Sequence, residues 1–368
     1  MKPLAPLAVV VFAALATTGC GRIAARREAA RIPVVTALVT ATTSTFASSS
    51  SDPLSVETPI AVETPPTVST ATPTTRPSAA PSVQTAAPYP VGSTKVSFDF
   101  DGHPRTFTVY IPADLPTGRA VPLVFQLHGG GGTGVDTDSV TRLNAVADRE
   151  GFIVVAPDGV EKNWNDGRVD VRDKTAFVKN IDDVGFLVTV LDEIGTHHRV
   201  DQRRVYAMGI SNGAMMSGRL ACERPDRFAA VGLVAGTGPI DLANSCGSKG
   251  SASIIAFNGT DDPLISYAGD ASVHPELGKR LSVDQLAEYW TTRNGCTDPP
   301  TTDQVTPTIS RRTWSCGSTA VVFHRVNGAG HTWPGGRQYL PKLIIGSTDG
   351  SMDATTVMWE FFTSHPRP

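Results

Sequence analysis

The chain has 368 residues, of which 40 % are hydrophobic and 18 % charged, and its formal net charge is −3. That balance excludes a nucleic-acid binder carried by bulk positive charge, and it excludes wholesale disorder. Outside the extreme N-terminus no apolar run reaches the roughly 18 residues of a membrane-spanning helix.

The N-terminus reads as an export signal. Met1 and Lys2 supply a minimal charged region, and Leu4 to Thr18 form an apolar run that ends in Thr17-Thr18-Gly19-Cys20. A short apolar stretch, a small residue and then Cys resembles a bacterial lipoprotein signal, in which Cys20 would become the acylated new terminus. Thr17 departs from the aliphatic residue usual there, and a secretory signal with an incidental Cys is the alternative. Residues 1–19 are read as the signal peptide.

A stalk follows. Ser, Thr, Pro and Ala dominate from Ala41 to Pro90. Such a segment has too little apolar surface to offset the entropy of ordering it, so residues 20–92 are expected to stay extended and solvated. Residues 1–92 carry six basic and four acidic side chains, which leaves 93–368 at a net charge of −5. That remainder has the size of one α/β domain.

Of the five cysteines, Cys20 is the candidate lipid site, and Cys222, Cys246, Cys296 and Cys316 remain. Four cysteines allow three pairings, among which sequence alone does not choose; the sequence-local choice is Cys222–Cys246 and Cys296–Cys316. No CxxC or HExxH spacing supports a metal site, so disulfides are favoured and no metal is expected.

The domain reads as alternating strands and helices. Lys95–Phe100 and Thr106–Ile111 alternate apolar and polar residues around Asp101-Gly102, the pattern of an antiparallel hairpin. Pro122–Leu127 is a continuous apolar run, as in a strand buried on both faces. One helix is predicted over Asp138–Glu150, ending at Gly151, and a strand over Gly151–Ala156. A helix is predicted over Ile181–Ile194, with strands at Arg204–Gly209, Ala229–Ala235, Ser253–Phe257 and Ala320–Val326. Ser282 to Gln285 form a capping box that opens a helix to Arg293, and a last helix runs from Asp353 to Thr363. Strands alternating with helices imply a mainly parallel sheet covered on both faces, with chemistry at the carboxyl ends of the strands.

Three constellations stand at those ends. Gly209-Ile210-Ser211-Asn212-Gly213 lies between a strand and a helix. Its glycines permit a tight turn that lifts the Ser211 hydroxyl clear of the backbone, and the helix N-terminus offers N–H groups to an oxyanion. Taken alone, G-x-S-x-G is a weak signal; the strand–turn–helix setting raises it. His128-Gly129-Gly130-Gly131-Gly132 follows the Pro122–Leu127 strand. A glycine run there brings the backbone N–H groups of Gly129 and Gly130 up to a substrate carbonyl, completing an oxyanion hole with the Asn212 N–H. The alternative is a phosphate loop or a plain turn; no GK[ST] follows, so nucleotide binding is not expected. The third constellation is an acid, Asp261 or Asp262 after the Ser253–Phe257 strand, and a base, His331 after the Ala320–Val326 strand. Serine, then acid, then histidine, each in a loop after a strand, is the order of an α/β-hydrolase triad. Asp182 and Asp183 fall at a helix start, where the dipole favours acids, and read as structural caps.

Together with Trp164-Asn165-Asp166-Gly167-Arg168 and Gly330-His331-Thr332-Trp333-Pro334-Gly335, these motifs resemble exported esterases of the polyhydroxybutyrate depolymerase and feruloyl esterase type, from Lys95 to His365. The resemblance implies an α/β-hydrolase fold, nucleophile Ser211, base His331, acid Asp262, and the sequence-local cysteine pairing. Asn258 stands where His is usual and Ala214 where a second Gly is usual. Trp164 and Trp333 are candidates for packing substrate, against a plain core or rim role. The expected activity is cofactor-free hydrolysis of hydroxycinnamoyl, acetyl or short 3-hydroxyacyl esters, small or oligomeric, through an acyl-enzyme. An acyltransferase with the same triad, or a silent binding protein, is the alternative. The protein is expected to be exported, a monomer, and at a membrane only through a lipid anchor, with no nucleic-acid partner.

Overall fold

The structure, a computed structural model, describes residues 86–168, 179–240, 250–269 and 279–368, with 171, 174, 176 and 246 besides. The signal peptide, Cys20 and the stalk up to residue 85 lie outside the described residues.

Strands β1 (Gly92–Phe100) and β2 (His103–Ile111) pair antiparallel, with Phe100 opposite His103. The two residues between them, Asp101 and Gly102, both have positive φ, the geometry that matches hairpin twist. Then come β3 (Val121–Leu127), β4 (Ile153–Pro157), β5 (Val200–Ile210), β6 (Ala230–Val234), β7 (Ser253–Gly259), β8 (Thr301–Gln304), β9 (Ile309–Cys316) and β10 (Thr319–Val326). The described strands form a sheet in the order β1-β2-β4-β3-β5-β6-β7-β10-β9-β8. From β4 to β10 the pairs are parallel, and both flanks are antiparallel. The residues 86–91, read from sequence as stalk, pack on the domain instead: Tyr89 lies 4.1 Å from the His197 ring and its N–H donates to His198 Nε2.

Helices cover both faces because the strand residues alternate between them. Leu123, Phe125, Val205 and Ala207 share one core with α3 (Asp183–His197), α4 (Asn212–Glu223) and α5 (Val283–Arg293). Val124, Tyr206, Met208 and Ile210 share the other with α2 (Leu143–Glu150) and α6 (Ala354–Ser364). The capping box at Ser282 is formed as expected, its hydroxyl accepting from Gln285 N–H and the Gln285 side chain accepting in return from Ser282 N–H.

Two expectations need correction. The helix predicted over Asp138–Glu150 is broken into α1 (Gly134–Thr141) and α2 by Arg142, which sits at φ 57 and ψ 34. The break is held by side chains that outcompete helical bonding. Thr141 Oγ1 accepts from Leu143 N–H, and the Asp138 carboxylate accepts from Asn144 N–H. Strands β8 and β9 have no counterpart in the sequence reading. All of β8, Thr-Thr-Asp-Gln, is exposed, so it carries no apolar signal; it is tied to β9 by its backbone ladder and the Asp303–Arg311 pair.

Disulfides join Cys222 to Cys246 and Cys296 to Cys316. With sequence separations of 24 and 20, each removes about 3 kcal/mol of unfolded-state entropy in the chain-entropy picture. The first fastens the end of α4, and the second ties the segment after α5 to the end of β9.

Burial also makes the fold acid-sensitive. His324 on β10 stacks on Phe257 of β7 at 4.1 Å and is 1 % exposed. Burial lowers its pKa from 6.5 to about 4, and burial lowers those of His128 and His198 in the same direction. The unfolded chain therefore binds these protons at higher pH than the folded one. Stability is complete above about 6.5 and is lost as pH falls from there toward 4, by roughly 3 kcal/mol at pH 4 for His324 alone. Melting temperature measured across this window should fall less steeply in His324→Gln than in the wild type. Equal slopes would show that His324 does not contribute.

Candidate active site

The turn between β5 and α4 carries Ser211 at φ 59 and ψ −121, a conformation that costs a non-glycine residue free energy and projects its side chain out of the strand–helix junction. The turn is possible because its flanks are bare. A Cβ on Gly213 would overlap Leu127 O, and one on Gly209 would lie 2.5 Å from the Gly213 carbonyl. Ala214, where a glycine is usual, fits because residue 236 facing it is Gly: a Cβ there would come within 2.7 Å of the Ala214 methyl.

Across the turn runs the loop His128–Gly132. His128 is fully buried, and its Nε2 accepts from Gly159 N–H at 2.9 Å. The proton therefore sits on Nδ1, which donates to Gly129 O at 2.8 Å. Burial holds this imidazole below its ordinary pKa and so keeps it neutral. Gly131 and Gly132 spend their N–H groups on Lys162 O and Gly129 O. Gly129 and Gly130 pass close to the turn: a Cβ on Gly129 would be 3.5 Å from Ser211 Cβ, and one on Gly130 3.9 Å from Asn212 Cβ.

The candidate acid and the candidate base meet from the loops after β7 and β10. Asp262 Oδ2 lies 2.8 Å from His331 Nδ1, with both side chains almost fully buried. A carboxylate only accepts, so Nδ1 carries the ring proton and Nε2 presents a bare lone pair. The other oxygen, Oδ1, accepts from Leu264 N–H and Ile265 N–H at 2.8 Å each. Asp261 is exposed, and its carboxylate accepts from the Thr260 hydroxyl. The two loops are pressed together at Gly259, where a Cβ would overlap Ala329 O. The Tyr339 hydroxyl donates to His331 O at 2.8 Å. Burial, with the charge of Asp262, raises its pKa, so it remains a donor.

Ser211, His331, Asn212, Gly129 and Gly130 line one cavity of about 670 Å³. Its walls are largely apolar, from Val140, Ile210, Met215, Leu264, Ile265 and Leu340, with Arg168, Arg280 and Arg337 among them. The segment contributing Arg337, Tyr339, Leu340 and Ile345 has no sequence motif and was not anticipated as part of the site. Trp164 and Trp333, singled out from the sequence as substrate-packing residues, do not line the cavity. Both are fully buried, the Trp164 indole donating to His128 O and the Trp333 indole to Thr355 Oγ1. A fully buried ring bonded to the interior has no face left for substrate. Asp182 is a cap, accepting from Gly185 N–H, whereas Asp183 is buried and paired with Arg105 at 2.6 Å. Among the described residues no cluster of His, Cys, Asp and Glu could hold a metal ion.

The chain matches the family described as Esterase PHB depolymerase over residues 105–277. The protein named "Putative esterase NocK" from Nocardia uniformis subsp. tsuyamanensis is 33 % identical over 267 residues, covering 67 % of this chain and 75 % of that protein. The chain belongs to this family of esterases. Feruloyl esterase C of Emericella nidulans is 26 % identical over 269 residues, covering 70 % of this chain and 83 % of that one. Feruloyl esterase B of Piromyces equi is 28 % identical over 241 residues, covering 62 % of this chain and 42 % of that one. Among solved structures, the acetyl xylan esterase from Aspergillus awamori superimposes with a TM-score of 0.50 at 17 % identity, over 71 % of this chain and 94 % of that one. At that identity the likeness establishes the α/β-hydrolase fold alone.

Proposed function

We propose that this esterase hydrolyses carboxylic esters through an acyl-enzyme on Ser211. The observation that carries the reading is the His331–Asp262 pair, whose geometry fixes the basic tautomer, in the same cavity as the strained Ser211. Ser211 Oγ bonds to the ester carbonyl carbon while its proton passes to His331 Nε2. The carbonyl electron pair becomes an oxyanion that faces the N–H groups of Gly129, Gly130 and Asn212. Collapse breaks the bond to the alcohol oxygen, and the alcohol leaves with the proton held on His331. Water then gives a proton to His331 and attacks the acyl carbon. The second collapse returns that proton to Ser211 Oγ and releases the carboxylic acid.

The substrates proposed are hydroxycinnamoyl, acetyl or short 3-hydroxyacyl esters, small or oligomeric, which the largely apolar walls suit. The names of the relatives support the first two groups. Export is proposed too, with a lipid on Cys20 as the anchor and a monomeric domain beyond the stalk. The two disulfides support an oxidising compartment. A fluorophosphonate probe followed by peptide mapping tests the mechanism: one label per chain is expected, on Ser211. Turnover of acetyl, butyryl, 3-hydroxybutyryl and feruloyl esters by the same preparation then ranks the acyl groups. An active preparation labelled elsewhere would overturn the assignment.

A further inference from the structure

The segment from Trp164 to Arg168 reaches the cavity wall only at Arg168 and has no part in the chemistry above, yet Trp164 lies directly behind it. The Asn212 backbone N–H is a proposed oxyanion donor, and the Asn212 side chain is spent on this segment. Its Oδ1 accepts from Trp164 N–H at 2.7 Å, and its Nδ2 donates to Trp164 O at 2.9 Å and to Asp166 Oδ2 at 2.7 Å. The same tryptophan reaches the other half of the hole, its indole N–H donating to His128 O at 3.0 Å. The segment is itself fixed to buried charge. Asn165 N–H donates to Asp183 Oδ2, Asp183 pairs with Arg105, and Arg168 closes on Asp166. Asp166 and Asp183 are both 0 % exposed.

The two halves of the hole come from different strands. The β3–β5 ladder ends at Leu127 opposite Gly209, before His128 on one side and Ser211 on the other. Beyond that point the sheet no longer sets the separation of the Gly129–Gly130 amides from the Asn212 amide. A tetrahedral oxyanion needs its donors at about 2.7–3.1 Å, and misplacement by about 1 Å can cost a factor of roughly 100. We infer that Trp164 and the Asn212 side chain are positioning residues, a brace that sets the spacing of the oxyanion donors. The inference rests on the reading of Ser211 as nucleophile.

The test uses the full chain with Asn212→Ala and Trp164→Phe, each titrated to saturation with the fluorophosphonate so that kcat is per competent site. Asn212→Ala should lower kcat about 30- to 300-fold with KM within about threefold of wild type. The inhibition constant of an alkyl trifluoromethyl ketone, whose adduct places an oxyanion in the hole, should rise by the factor that kcat/KM falls. The acid-limb midpoint of the pH profile should stay in place, since the His331–Asp262 pair is untouched. Trp164→Phe keeps the backbone bonds, removes the indole donor and leaves a smaller ring against His128. It should lower kcat about three- to tenfold in the same pattern, and it carries the test should Asn212→Ala fail to fold. Unchanged kcat per labelled site with a lower melting temperature would overturn the brace and leave a packing role. A raised KM at constant kcat would overturn it in favour of substrate contact. Neither result touches the nucleophile, whereas an active wild-type enzyme unlabelled at Ser211 would bring down both readings together.

Discussion

Ser211→Ala should lower ester turnover by about 10⁴–10⁶-fold while leaving the fold intact. The size of the loss follows from the unit character of a triad: without the nucleophile, His331 and Asp262 have no proton to move, and only binding and the oxyanion donors act on the ester. Intact folding follows from the backbone. Ser211 is held at positive φ by the bare flanks of its turn and by its N–H donating to Val234 O at 2.9 Å, and alanine keeps both the Cβ and that bond. Ser211 lines the cavity and is only half-buried, so little packing is lost with its hydroxyl. The measurement is kcat/KM on an activated ester beside the melting temperature of the same sample. Turnover within tenfold of wild type, with an unchanged melting temperature, would place the chemistry on another residue.

What could be read from the sequence was what has a local cause. Buried parallel strands announce themselves as apolar runs, and the capping box at Ser282 and the hairpin at Asp101-Gly102 are four- and two-residue signals. The turn at Ser211 and the loop at His128 are legible because both need glycine at fixed offsets, for steric reasons visible at Gly209 and Gly213. Features set by long-range partners were not legible. Nothing adjacent to Trp164 says that its indole meets His128, 36 positions away, so the sequence leaves substrate packing and a core role both open where the structure shows a fully buried ring. Asp183 next to Asp182 looked like a second helix-capping acid; its partner, Arg105, lies 78 positions earlier. Strand β8 is legible only through the β9 ladder that binds it. The wall from Arg337 to Ile345 carries no motif, because apolar walls are specified by shape and not by chemistry.

The adjacent acids give the second large effect. Position in the sequence motif favoured Asp262, and the structure supplies a geometric reason to expect the two residues to behave differently. Asp262 Oδ1 is fixed by Leu264 N–H and Ile265 N–H, which leaves Oδ2 for His331 Nδ1. In Asp262→Asn those two N–H groups still require an oxygen, so the amide must turn its NH₂ toward the histidine. Facing a donor, His331 Nδ1 has to accept, and the ring proton moves to Nε2, the atom proposed to receive the proton of Ser211. The base is then occupied, and turnover should fall by about 10⁴-fold with little change in KM. Asp261 makes no such contact: it is exposed, and its carboxylate accepts from the Thr260 hydroxyl, a bond that the amide oxygen of asparagine retains. Asp261→Asn should therefore cost less than about tenfold, the effect of a surface change of about 1 kcal/mol. Parallel kcat measurements on the two variants decide the matter, and a larger loss in Asp261→Asn would transfer the role of orienting His331 to the wrong neighbour.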